Sequence, residues 1–242
     1  MDAVTGTRLH VDRAGSGRPP IVFVHGMGTS AATWKECMRL LADRHEVLAV
    51  DLLGHGESPV PDDPNEYTRD RALADLDDVL AMLDSPAIMV GHSLGGYLAL
   101  AHAATRPGAL LGIVVLNTGP GYRDADKREG WNERSRRNAH RFGVPLQVAN
   151  LNLQEDSVVM DRLADMTTPT LALAGSADRP EYTASGQYLE RKMPHARFVA
   201  VEGGEHSMHE DTHAAEVAAL IEDFASQLAS QSESQHIERR ES

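Results

Sequence analysis

Residues 87–105, AIMVGHSLGGYLALAHAAT, restrict the fold of this chain more than any other stretch. The apolar run 87–90 reads as a short buried strand and 97–105 has the apolar density of a helix, so Gly91 to Gly95 occupies a strand-to-helix turn. A serine between two glycines at such a turn has a mechanical reading. The backbone at Ser93 is held in a strained conformation, while Gly91 and Gly95 remove side chains that would collide with neighbouring backbone. The hydroxyl then projects from the end of a sheet. Because the turn opens a helix, the N–H of Leu94 faces the same space, and the helix N-terminus favours negative charge developing there.

The rest of the chain supplies a sheet for that turn. Residues 7–13 suggest an edge strand, and the Gly- and Pro-rich turn 14–20 leads into the β-branched run 21–25 (IVFVH), so a hairpin is expected to start the sheet. A glycine-rich loop at 25–30 precedes an amphipathic helix at 31–43 that contains Trp34. Strand 46–50 ends in a second glycine-punctuated loop, DLLGHGES at 51–58. Leu73, Leu76, Leu80 and Leu83 give residues 67–83 a helical apolar face. Apolar runs at 110–116, 171–174 and 197–201 add strands. Strands alternating with helices imply an α/β fold, a mostly parallel sheet covered on both faces.

Two stretches break this rhythm. Residues 119–154 are polar and arginine-rich, with Trp131, Phe142 and a Gly143-Val144-Pro145 break, and read as an insertion. Residues 226–242, rich in Gln, Ser, Glu and Arg, are expected to be a disordered tail. The core is then 1–118 and 155–225. With 242 residues, 41% of them apolar, the chain suits one large domain. Its net charge of −13 argues against nucleic-acid or anionic-membrane partners. A single cysteine, Cys37, excludes an intramolecular disulfide and fits a reducing compartment. The first ten residues include an acid and lack an apolar core, and the apolar run at 109–116 is too short to span a bilayer. A cytoplasmic protein is the expectation.

A serine hydroxyl is a poor nucleophile at neutral pH and needs a general base, itself oriented by a third group. In a parallel sheet, reactive groups gather beyond the carboxyl ends of the strands. Asp178 follows strand 171–174 through Gly175-Ser176-Ala177. His206 follows strand 197–201 through Glu202-Gly203-Gly204-Glu205. His206, His209 and His213 also form H-x2-H-x3-H, a spacing compatible with a metal, but no carboxylate or cysteine cluster accompanies it, and no metal or organic cofactor is implied.

These blocks together resemble the α/β-hydrolase fold superfamily, in its single-domain, cap-bearing branch of esterase- and lactonase-like serine hydrolases. The resemblance rests on Gly15-Ser16-Gly17 with Pro20 and His25-Gly26, Trp34, DLLGHGES at 51–58, GHSLGG at 91–96, PTLALAGSAD at 169–178 and EHSMHED at 205–211. It implies Ser93 as nucleophile, His206 as general base and acid, and Asp178 as orienting carboxylate. It also implies an oxyanion hole from the backbone N–H groups of Leu94 and Met27. Gly26, His92 and Trp131 are candidate substrate contacts, His25 is expected to orient the oxyanion loop, and Asp51, His55 and His209 are expected to be structural. The cap, 119–154, is shorter than usual for the branch. The implied activity is hydrolysis of a small-molecule carboxylic ester or lactone through an acyl-enzyme. A ligand-binding sensor, a carbon–carbon bond hydrolase and a cofactor-free oxygenase or perhydrolase on the same scaffold stay open, as does the oligomeric state.

Overall fold

The computed structural model describes residues 6–241, with side chains described for 6–231. Seven strands form one sheet: β1 (Val11–Ala14), β2 (Ile21–Val24), β3 (Val47–Val50), β4 (Ile88–His92), β5 (Gly112–Leu116), β6 (Thr170–Gly175) and β7 (Ala196–Val201), in the order β1-β3-β2-β4-β5-β6-β7. Every neighbouring pair is parallel except β1 with β3. The helices are α1 (Lys35–Leu41), α2 (Arg69–Leu80), α3 (Leu94–Thr105), α4 (Ala125–Asn138), α5 (Val158–Arg162), α6 (Pro180–Lys192) and α7 (Ala214–Glu241).

Strand periodicity divides the core in two. Val22, Val24, Met89 and Val115 face one layer with Leu73, Leu76 and Leu98 from α2 and α3. Ile21, Phe23, Val90 and Val114 face the other, with Cys37 and Leu41 from α1 and Val217 and Ile221 from α7. Each fully buried Leu, Ile or Val contributes about 1.5–3 kcal/mol, which is why these short, β-branched runs serve as central strands.

Two expectations are corrected. The starting hairpin does not form: β1 pairs antiparallel with β3, Val11 opposite Val50 and Ala14 opposite Val47, and β2 lies on the far side of β3. The turn glycines are committed to the end of α1 instead. A Cβ at Gly15 would strike the carbonyls of Ala42 and His45, one at Gly17 the carbonyl of Arg44, and the Gly17 carbonyl accepts from Glu46 N–H at 2.8 Å. Residues 226–241 of the expected disordered tail continue α7, and residue 242 lies outside the described residues. Ala214, Val217, Ala218, Ile221, Phe224, Ala225 and Leu228 recur at helical spacing and are buried against the sheet. At Gly112 a Cβ would meet Leu228 Cδ1 at 2.6 Å, so the helix crosses β5 there at close range. The polar residues that suggest disorder occupy the exposed face, Gln227 and Ser230 among them. No helix among the described residues is long and apolar enough to cross a membrane.

Candidate active site

Ser93 joins β4 to α3 with φ 50° and ψ −109°, a region that non-glycine residues rarely adopt. The two flanking glycines explain how the chain tolerates it. A Cβ at Gly91 would run into the Gly95 carbonyl, and one at Gly95 into the Val24 carbonyl of β2. The conformation is pinned from three sides: Ser93 N–H donates to Leu116 O at 2.9 Å, and Ser93 O accepts from Tyr97 N–H at 3.0 Å and Thr118 Oγ1 at 2.7 Å. Leu94 is the first residue of α3, so its N–H has no partner inside the helix.

Asp178 and His206 arrive from the ends of β6 and β7. His206 Nδ1 lies 2.6 Å from Asp178 Oδ2, and Asp178 Oδ1 accepts from Arg179 N–H at 2.7 Å. The Asp178 side chain is 7% exposed and that of His206 38%, a sheltered carboxylate behind an accessible ring. With Nδ1–H donated to the carboxylate, Nε2 carries the lone pair, and it has no partner among the described residues. The His206 ring packs on His92, with centroids 4.7 Å apart, and on Tyr182 at 5.0 Å. Ser93, Leu94 and Tyr182 line a cavity of about 330 Å³, which Tyr122, Trp131 and Gln154 from the segment between β5 and β6 also wall.

The HG loop is organised by buried imidazoles. His25 Nδ1–H donates to Gly26 O at 2.7 Å while its Nε2 accepts from Leu52 N–H at 3.0 Å. His55 Nε2 accepts from Gly28 N–H at 3.1 Å, and Thr29 N–H reaches Gly26 O at 3.3 Å. The Met27 N–H in this loop has no partner among the described residues. Asp51 binds the same region, accepting from Ala31 N–H at 2.6 Å and Glu57 N–H at 2.8 Å. Burial, with His55 nearby, pushes His25 down to about 4, and burial with His206 nearby pushes His209 down to about 3. His92 is likewise driven well below its ordinary value by burial and by His209 and His206.

The candidate substrate contacts separate. Trp131 is half-buried in the cavity wall, its Nε1–H held by Asn152 O at 2.9 Å. Gly26 is buried behind the wall, where a Cβ would meet His92 Nδ1 at 2.9 Å. His92 is buried too, and its Nε2–H donates to the His206 carbonyl at 2.9 Å, so it contacts the base's backbone and not the cavity. His209 is stacked between Trp34 and His92 at 4.1 and 4.4 Å, and His213 Nε2 is bonded to Glu202 O, so the three histidines of the run have separate surroundings.

Sequence reasoning missed Asn117. It is fully buried, with φ 46°, one residue beyond β5. Its Nδ2 donates to His206 O at 2.7 Å and to Glu205 O at 3.1 Å, and its Oδ1 accepts from Gly175 N–H at 2.9 Å. One amide thus ties the His206 loop to β5 and β6. The signal available was its address, the carboxyl end of a predicted strand, but Asn-Thr-Gly-Pro there also reads as an ordinary turn. Asn117→Ala leaves the buried Gly175 N–H unpaired and places alanine at a positive φ, while the His206 and Glu205 carbonyls keep His92 Nε2–H and Met208 N–H as donors. It is expected to cost about 2 kcal/mol, lowering the thermal midpoint by about 4–8 °C, and to reduce kcat by about 10–100-fold with little change in KM through a displaced His206. An unchanged kcat with a lowered midpoint would restrict Asn117 to a structural role.

The chain is similar to known proteins in sequence and in fold. The chain is 27% identical over 260 residues to the pimeloyl-[acyl-carrier protein] methyl ester esterase of Xanthomonas campestris, covering 91% of this chain and all of that one. It is 32% identical over 115 residues to mouse epoxide hydrolase 4, covering 47% of this chain but only 32% of that protein. The chain spans less than half the length of the first curated relatives it matches. A thermophilic esterase from Thermogutta terrifontis, crystallised with malate, superposes with a TM-score of 0.78 over 91% of this chain and 93% of its own at 23% identity. The model of the alpha/beta hydrolase family matches residues 21–220, from β2 into the first two turns of α7 and across the elbow, the Asp178 turn and the His206 loop, and the chain belongs to that family.

Proposed function

We propose that this protein is a serine hydrolase that cleaves a carboxylic ester or lactone of a small molecule through an acyl-enzyme on Ser93. The observation that carries the reading is the 2.6 Å contact between His206 Nδ1 and Asp178 Oδ2, which leaves Nε2 free on a ring packed against Tyr182, a residue that lines one cavity with the strained serine. His206 Nε2 takes the Ser93 proton as Oγ attacks the carbonyl carbon. The oxyanion is met by the unpartnered N–H groups of Leu94 and Met27. His206 then protonates the departing alcohol, and a water molecule, activated by the same nitrogen, releases the acid. Relatives in this family include an esterase acting on a methyl ester and an epoxide hydrolase. Opening an epoxide or displacing a halide on this fold calls for a carboxylate nucleophile, and a serine at 93 favours the acyl-transfer side. The partner is a small-molecule ester, and no cofactor takes part in the scheme.

The test is intact mass after exposure to a fluorophosphonate, alongside turnover of a short p-nitrophenyl ester. Wild type is expected to gain one adduct and to hydrolyse the ester, and both properties should vanish in Ser93→Ala and in His206→Ala. A folded wild type that takes up no adduct and turns over no ester would remove the mechanism and favour a binding role for the cavity. Turnover of the ester that depends on dioxygen would move the reading to an oxygenase.

A further inference from the structure

Residues 119–154 carry six arginines, and their surroundings differ. Arg123 is paired with Asp161 at 2.8 Å, Arg128 donates to the Tyr122 and Arg123 carbonyls, and Arg136 is paired with Glu129 at 2.7 Å. Arg137 and Arg141 are exposed outside the cavity lining. Arg134, on α4, lines the same cavity as Ser93, and its guanidinium has no hydrogen bond or ion pair among the described residues. From another wall comes Arg179, held over the Tyr182 ring at 4.9 Å and hydrogen-bonded to its hydroxyl, with no carboxylate on its guanidinium. Glu181 is the acid in this lining, and it forms no ion pair with either arginine. Two guanidinium groups against one carboxylate give the cavity a local charge of +1 in a chain of net charge −13.

We infer that the cavity takes a monoester or lactone derived from a short dicarboxylic acid, its free carboxylate bound by Arg134 with Arg179 alongside. The inference rests on the serine-hydrolase reading and names its substrate class. A guanidinium presents parallel N–H donors that match a carboxylate bidentately. The single charge of a carboxylate balances the cavity's surplus, whereas a doubly charged phosphate would also have to face Glu181. A cavity of about 330 Å³ sits at the small end of ligand sites, which fits a short acid and not a long acyl chain.

The experiment compares p-nitrophenyl hemisuccinate, hemiglutarate and hemiadipate with the same compounds capped as neutral methyl esters. For at least one length the anionic ester is expected to have the higher kcat/KM by about tenfold. That ratio should collapse by about the same factor in Arg134→Gln, mainly through KM, recover in part in Arg134→Lys, and stay as in wild type in Arg137→Gln on the same helix. A ratio of one or less at every length, or an unaltered ratio in Arg134→Gln, would overturn the inference. If neither ester is turned over, the hydrolase reading has failed, and calorimetric titration with glutarate decides the subsite on its own. Binding to wild type that is lost in Arg134→Gln sustains a carboxylate site, and no binding, or equal binding to both, removes it.

Discussion

Asp178→Asn is expected to lower kcat for an aryl ester by about 10⁴-fold, with KM and thermal midpoint close to wild type. The reason lies in the direction of one proton. Asp178 Oδ2 accepts the His206 Nδ1 proton at 2.6 Å, which leaves Nε2 unprotonated, the state in which the proposed mechanism has it take the hydroxyl proton of Ser93. An asparagine can keep the Asp178 bond to Arg179 N–H at 2.7 Å through its carbonyl, so the turn survives. Its NH₂ group then faces Nδ1, stabilises the tautomer protonated at Nε2, and removes the base from the reacting side. The carboxylate's negative charge, which stabilises the imidazolium as it forms, is lost with it. Steady-state kinetics with circular dichroism of the same sample decide the matter. A fall of less than tenfold in a folded variant would show that Asp178 does not orient His206.

Acid should begin to destabilise this protein above the pH at which its carboxylates protonate. His25 and His209 sit at about 4 and about 3 against an ordinary 6.5, and burial is the leading cause for both. Their folded values lie below their unfolded values, so protons bind preferentially to the unfolded chain. The stabilisation they represent is intact above pH 6.5 and is lost as the pH falls from 6.5 toward 4 and then 3. At pH 5 each has lost about 2 kcal/mol, and together they lower the thermal midpoint by about 8–16 °C relative to pH 7. His92, shifted in the same direction, adds to the loss. His209→Leu tests the assignment, since neither ring nitrogen of His209 has a partner to lose. It should abolish about half of the drop assigned to the pair. A midpoint that is flat between pH 7 and pH 5 would mean that these imidazoles are not held neutral by burial.

The elbow, the strands that carry Ser93, Asp178 and His206, and the α/β layering were legible in the chain because each depends on a local rule. Glycine spacing admits the turn at Ser93, β-branched runs with period-two exposure make central strands, and strand ends mark where reactive groups collect. The α7 extension was not legible, because among the residues after Ala225 with described side chains Leu228 is the buried hydrophobic anchor, and its value depends on Gly112 lying beneath it. The fate of the turn glycines was hidden for a similar reason. Gly15 and Gly17 signal a turn, but only the approach of the α1 terminus decides that β1 pairs with β3 and not with β2.

The same division holds at the site. Residue type and address by themselves picked out Ser93, Asp178 and His206 as candidates, and the last two do meet, since a base and an orienting carboxylate each need a particular chemistry at a particular strand end. Tertiary structure decided what surrounds them: that His92 holds the His206 backbone and turns away from the cavity, that Asn117 ties three strand ends together, and that Arg134 faces Ser93's cavity unpaired while Arg123 and Arg136 of the same segment are neutralised. Those outcomes depend on distances between residues far apart in the chain, which local propensity does not encode.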